Sequence, residues 1–145
     1  MSGKITKNTR IVNPGTGLES FGVIPDIDKQ TAKFFEGHIY LKHGEHIANN
    51  RGFGASHIWE QHKHELDKYN IYCVDDVAGY VASILISGAS IHYEYGKRLT
   101  VSLRSAKGIV IVEEKSNAIG EAEYSVVTAY PKRGNPHGSI IGALK

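Results

Sequence analysis

The sequence is poor in the residues that mark the most easily read classes of protein. One cysteine, Cys73, stands among 145 residues, which excludes an internal disulfide framework and a cysteine-rich zinc module. The four prolines and sixteen glycines follow no repeat, so collagen-like and low-complexity architectures fall away. The longest nearly unbroken apolar stretch, Val77 to Ile86, is interrupted by Gly79 and Ser83 and is about half of the ~20 residues that a membrane-spanning helix needs. No membrane partner is expected. The opening Met1-Ser2-Gly3-Lys4 lacks the apolar segment of a secretory signal, so export would be directed by sequence outside this chain. A Walker loop, a GxGxxG turn and a GxSxG elbow are also missing. Nucleotide hydrolysis, dinucleotide redox chemistry and serine hydrolysis therefore have no support, and no cofactor is expected.

What is present suits one folded domain, with 41% hydrophobic and 22% charged residues. The net charge of +2 hides a gradient. Residues 96–145 hold eight Lys and Arg against four Asp and Glu, and the stretch from Pro131 to Lys145 carries Lys132, Arg133, Lys145 and His137 with no acid. That is a modest footprint for a polyanionic partner, and also the appearance of an ordinary solvated tail.

Residues 1–36 read as an irregular lead-in around the turn residues Asn13-Pro14-Gly15-Thr16-Gly17, with a short helical turn over Gln30 to Glu36. The domain proper is placed at 37–145. His38-Ile39-Tyr40-Leu41 is a short strand, followed by a polar, glycine-containing loop as far as Ser56. Ser56 then N-caps a predicted helix over His57 to Tyr69, with Ile58, Trp59, Leu66 and Tyr69 as its apolar stripe, His62 inside that stripe, and His57, Gln61, His64 and Lys68 on a polar face. A second helix is predicted from Asp75 to Ser87, where Val77, Tyr80, Val81, Ile84 and Leu85 keep helical spacing and Gly88 provides a stop.

After Gly88 the period changes to two. Ser90 to Tyr95, Arg98 to Arg104, Ile109 to Val112 and Tyr124 to Tyr130 read as four strands with short connections, hence an antiparallel meander. In the last of them Tyr124, Val126, Thr128 and Tyr130 are expected on one face. The resulting fold class is α+β, with N-terminal helices packed on a twisted antiparallel sheet of about four strands.

Eight histidines are the first chemical feature, five of them between His38 and His62. His43 and His46 with His57 or His64 outline a zinc reading, although no HExxH, cysteine pair or acidic cluster accompanies them. His57, in the first turn of its helix just after a glycine-rich loop, is the candidate general acid or base; the same position also suits a capping or solvated histidine. His62 reads as a partly buried residue that orients the site. Thr128 and Tyr130 offer two hydroxyls from one face of a strand. Arg98 and Arg104 share a polar face on theirs and suit phosphate binding, as they also suit a solvated face.

Taken together, Arg51-Gly52-Phe53-Gly54-Ala55-Ser56-His57-Ile58 with His62 downstream, a helix, a meander, and a last strand Tyr124-Ser125-Val126-Val127-Thr128-Ala129-Tyr130-Pro131 resemble a known group. The chain is similar to the barnase/EndoU/colicin/RelE superfamily of small metal-independent ribonucleases, in particular the C-terminal toxin domains of contact-dependent growth inhibition and phage-associated proteins. The likeness covers roughly residues 37–131; where family members often carry Arg before the second histidine, this chain has Gln61.

The resemblance implies a four-stranded sheet of that type and cleavage of RNA, transfer RNA above all, by attack of a ribose 2′-hydroxyl, giving a 2′,3′-cyclic phosphate and a 5′-hydroxyl. It implies His57 as base or acid, His62 as second catalytic histidine or orienting residue, and Thr128 and Tyr130 as phosphate donors or proton relay. Arg98 or Arg104 would stabilise charge, with Lys132 and Arg133 among the RNA-binding residues. It further implies delivery as the tail of a larger secreted effector, action in a target cell's cytoplasm, a cognate immunity protein, and a host activating factor as a further partner. Two rivals stand beside it: a noncatalytic module binding RNA or protein through the basic last third, and a zinc hydrolase.

Overall fold

The apolar run Ile109-Val110-Ile111-Val112 lies at the middle of the sheet, where a strand needs cover on both faces. The computed structural model describes residues 5–30, 32–94, 100–116, 119–131, 136 and 138–145. In chain order the strands are β1 (Arg10–Ile11), β2 (Ser20–Ile24), β3 (Ile27–Lys29), β4 (Ala32–Phe34), β5 (Gly37–Lys42), β6 (Glu45–Ala48) and β7 (Arg51–Phe53). Helices α1 (Gly54–Leu66) and α2 (Val77–Ile84) follow, then β8 (Ser90–Tyr93), β9 (Thr100–Ser105), β10 (Gly108–Ser116), β11 (Ala122–Tyr130) and β12 (Ser139–Ala143).

Strands β8 to β11 form the expected antiparallel meander. The expected sheet of about four strands is corrected, and with it the simple architecture that the resemblance implied. Strand β5 joins parallel to β11, β12 pairs antiparallel with β8, and β1 and β2 pair with β5. The result is a mixed sheet of eight strands in the order β1-β5-β11-β10-β9-β8-β12, with β2 also on β5 and β3–β4 and β6–β7 as separate hairpins. Residues 10–34 therefore carry four strands where an irregular lead-in was expected, and the helical turn expected over Gln30 to Glu36 gives way to β4. Segments of two or three residues are too short to register an alternation. Their extended state comes from the strands they pair with.

Both helices lie close to their predicted positions, with shifted ends. Helix α1 begins three residues before His57, with Phe53 at its N-cap and no side-chain cap. Ser56 is not the cap, because its N–H donates to the His43 carbonyl at 2.9 Å, a backbone partner that meets the need a hydroxyl would otherwise meet. Helix α2 spans only Val77 to Ile84, preceded by a 3₁₀ turn over Val74–Asp76. Ile58 and Leu66 of α1 and Val77, Val81 and Ile84 of α2 are fully buried in one core with Ile39, Leu103, Val110, Val112 and Val126 of the sheet.

One irregularity decides which side chains face away from that core. Val112 pairs with Val126, but Ile111 pairs with Thr128, so β11 carries a bulge with Val127 as the extra residue. The bulge shifts the alternation by one. Tyr124, Val126 and Ala129 are fully buried on the core side, whereas Thr128 and Tyr130 pair with Ile111 and Ile109 on the opposite face and are partly exposed. The expectation of Tyr124, Val126, Thr128 and Tyr130 on one face is corrected accordingly, while Thr128 and Tyr130 still share theirs.

Candidate functional site

The site is built where the β6–β7 hairpin meets α1. Gly52 of β7 pairs with His46 of β6 and has a backbone φ of +141° that L side chains rarely adopt. A Cβ there would lie 2.3 Å from the Glu45 carbonyl oxygen and 2.8 Å from His57 Nδ1. Only glycine lets the His57 ring close on the hairpin. It does so by stacking on His46, with ring centroids 5.2 Å apart and planes at 23°, and the two Nδ1 atoms share a hydrogen bond of 3.0 Å.

Gln61 stands where the resemblance leads us to expect Arg, and its side chain is engaged by the hairpin turn. Gln61, one turn beyond His57 on α1, donates to Asn49 Oδ1 at 2.7 Å and accepts from the Asn50 N–H at 2.9 Å. Asn50 is the left-handed residue of the hairpin turn, with φ of 63°. Gln61 thus ties that turn to the helix and holds His46 over His57.

His57 is only 3% exposed, although the helical wheel put it on a polar face; His46 is partly exposed. Burial first, and then the nearby His46 and His62, hold the His57 imidazole below its usual protonation range. It is neutral near pH 7, so one proton serves the two facing Nδ1 atoms and the partly exposed His46 is the member that meets solvent. Sequence spacing gives no sign of this pair, since its members stand eleven positions apart and are brought together by a hairpin. By its sequence context His46 is marked only as a metal-ligand candidate.

Further along α1, the His62 ring sits 5.3 Å from the Tyr130 ring, with Nδ1 3.5 Å from the Glu65 carboxylate. Burial pushes the Tyr130 hydroxyl up, so it remains a phenol. Tyr130 lies in a cross-strand row with Ile109, Arg104 and Ser90, and Thr128 in the next row with Ile111, Ser102 and His92, all on the face away from the core. Arg104 and Tyr130 are two strands apart, about 10 Å at the backbone. Thr128 Oγ1 and Arg104 Nε are buried and have no hydrogen-bond partner among the described residues, the condition of groups that await a ligand or water.

Of the expected site residues, His57 stacks on His46 and His62 lies against Tyr130, while Thr128, Tyr130 and Arg104 share the outer face of β9–β11 by register. Arg98, Lys132 and Arg133 lie outside the described residues. The zinc set is not assembled: among the described residues no three or more His, Cys, Asp or Glu side chains are grouped to hold a metal ion. Comparison with protein-family models, with curated proteins and with solved structures finds no match for this chain.

The histidines carry a stability consequence. His92 is 6% exposed, and burial, then Arg104, lowers its pKa. For His57 and His92 alike the folded value lies below the unfolded 6.5, so the unfolded chain takes up protons that the folded one refuses. Their contribution is complete above pH 6.5 and is lost as the pH falls from there through the folded values. A thermal-unfolding series from about pH 8 to pH 5 is expected to show a falling midpoint below 6.5, flattened in His57→Asn and His92→Asn; a midpoint that rises on acidification contradicts this.

Proposed function

We propose that this chain is an endoribonuclease that cleaves RNA, transfer RNA in particular, by intramolecular attack of a ribose 2′-hydroxyl on the adjacent phosphodiester. The observation that carries the reading is the 3.0 Å hydrogen bond between the partly exposed His46 and the buried, neutral His57, on a chain whose sheet face carries Thr128, Tyr130 and Arg104. Such transesterification needs a base for the 2′ proton, an acid for the leaving 5′ oxygen, and donors for the charge gathering on phosphorus.

His46 Nε2 takes the 2′ proton, while the Nδ1–Nδ1 hydrogen bond to His57 fixes its ring and shares the positive charge. His57 is then a positioning residue acting through His46. The 2′ oxygen forms its bond to phosphorus as the bond to the 5′ oxygen breaks, and His62 supplies the proton to that oxygen. Tyr130 and Thr128 donate to the non-bridging oxygens, and the Arg104 guanidinium offsets their charge. The products are a 2′,3′-cyclic phosphate and a 5′-hydroxyl; no step draws on a cofactor.

The test is incubation of the purified protein with total cellular RNA in excess chelator, followed by end-group analysis. Discrete fragments ending in cyclic phosphate and 5′-hydroxyl are expected. RNA left intact, with and without added cell extract, would assign the chain to noncatalytic binding, and cleavage only on restoring a divalent metal would assign it to metal-dependent hydrolysis.

A further inference from the structure

A cavity of about 550 Å³ opens beside the histidine pair, and its chemistry is not used by the mechanism above. One wall is Gly52 and Phe53 of β7, the same Gly52 that lies against the His57 ring. Its floor includes Ser125 and Val127 of β11, on the sheet face that also carries Thr128 and Tyr130. Ser125 is 2% exposed and its Oγ has no hydrogen-bond partner among the described residues. A buried hydroxyl in that state costs stability unless something binds it.

Three lysines, Lys7, Lys42 and Lys115, line the cavity against one carboxylate, Glu113. Lys115 is held by Glu113 at 3.0 Å and Lys7 by Glu45 at 3.3 Å. Lys42 has no carboxylate partner among the described residues and is partly buried. A cation without a carboxylate partner and a hydroxyl without a hydrogen-bond partner among the described residues, lining one cavity of net positive charge, are complementary to an anion. Ser125 is three residues before Thr128 along β11, a separation of ~10 Å at strand rise, which sets this anion apart from the one under attack yet within reach of the same strand.

We infer that the cavity lined by Lys42, Lys115, Ser125, Gly52 and Phe53 is a second phosphate subsite, which holds a phosphodiester of the RNA strand flanking the cleaved one. This rests on the ribonuclease reading for the identity of the strand, and on the cavity alone for its binding an anion.

The experiment measures the affinity of the full chain for a 2′-deoxy oligonucleotide, which lacks the attacking hydroxyl and stays intact, by fluorescence anisotropy across a salt series. Lys42→Ala is expected to weaken binding by about 5- to 20-fold and to reduce the slope of log K against log salt by about 1. Lys33→Ala, on the remote β3–β4 hairpin, serves as the control and is expected to change neither. Ser125→Ala is expected to weaken binding several-fold with an unchanged or higher thermal midpoint, because it removes an orphaned hydroxyl; a merely structural serine would lower the midpoint. Wild-type affinity in both cavity variants, or a loss in Lys42→Ala no greater than in the control, overturns the subsite even if the protein cleaves RNA. The expected losses in a protein that cleaves no RNA would uphold the anion site and remove the ribonuclease reading. Inorganic phosphate is expected to displace the oligonucleotide no better than chloride at equal ionic strength; displacement at micromolar phosphate would assign the cavity to the free anion and overturn the strand contact.

Discussion

His46→Ala is expected to lower the rate of RNA cleavage by about 10²- to 10⁴-fold, the range over which a positioned acid or base contributes, while the fold persists because the side chain is partly exposed on a hairpin. The informative partner experiment is at His57, where two substitutions separate two roles. His57→Ala removes the 3.0 Å hydrogen bond and the ring stack, frees His46 to turn away, and is expected to cost nearly as much. His57→Asn keeps a side-chain donor near the Nδ1 position but cannot exchange a proton in this range. It is expected to recover a substantial part of the rate and to leave KM near the wild-type value. Equal loss in Asn and Ala variants, with His46→Ala active, would transfer the proton-accepting role to His57 itself. Single-turnover cleavage of one RNA substrate distinguishes the cases.

Gly52→Ala is expected to have the largest combined effect on fold and activity. The added methyl would meet the Glu45 carbonyl oxygen at 2.3 Å and His57 Nδ1 at 2.8 Å, on a backbone with φ of +141°. Strain at such a φ and overpacking together amount to roughly 2–4 kcal/mol of lost stability. The hairpin must move off α1, and His46 moves with it, so activity is expected to fall to the level of His57→Ala. Gly79→Ala supplies the contrast: this glycine lies in α2 with open space where its Cβ would stand, and alanine there is expected to stabilise by about 0.5–1 kcal/mol through helix propensity. Chemical denaturation of the two variants beside wild type checks both signs. A Gly52→Ala protein of native stability and activity would mean that the hairpin does not hold the histidine pair in place.

The two helices and the meander were legible because their apolar residues recur, at helical spacing for Val77, Val81 and Ile84 in α2 and at every second residue for Val101 and Leu103 in β9. The edge strand β1 was not, since it spans two residues, and neither was the separate β6–β7 hairpin, which lies in a stretch whose glycines resemble a loop. The bulge was hidden for a different reason. Val126 and Val127 are identical residues in sequence, and only the pairing with Val112 and Ile111 shows that one of them is extra. That one residue puts Thr128 and Tyr130 on the outer face, in register with Arg104. His57 was found by its place after the glycine-rich segment, yet its burial was missed, because the polar helix face it shares with Gln61 is covered by the hairpin. Gln61 bonds to Asn49 and Asn50 of the hairpin turn. His46 had no local pattern to mark it; its partner is eleven residues away and meets it only through the hairpin.

The central claim is that the attacking group is a ribose 2′-hydroxyl activated at the His46–His57 pair. The most direct measurement is cleavage of one RNA oligonucleotide beside the same oligonucleotide with 2′-deoxy sugars at its cleavage sites, in excess chelator, over a range of protein concentrations. Cutting of the RNA alone, with a cyclic phosphate at every new 3′ end, is the expected result. Cutting of both strands, or new ends carrying a 5′-phosphate, would contradict it.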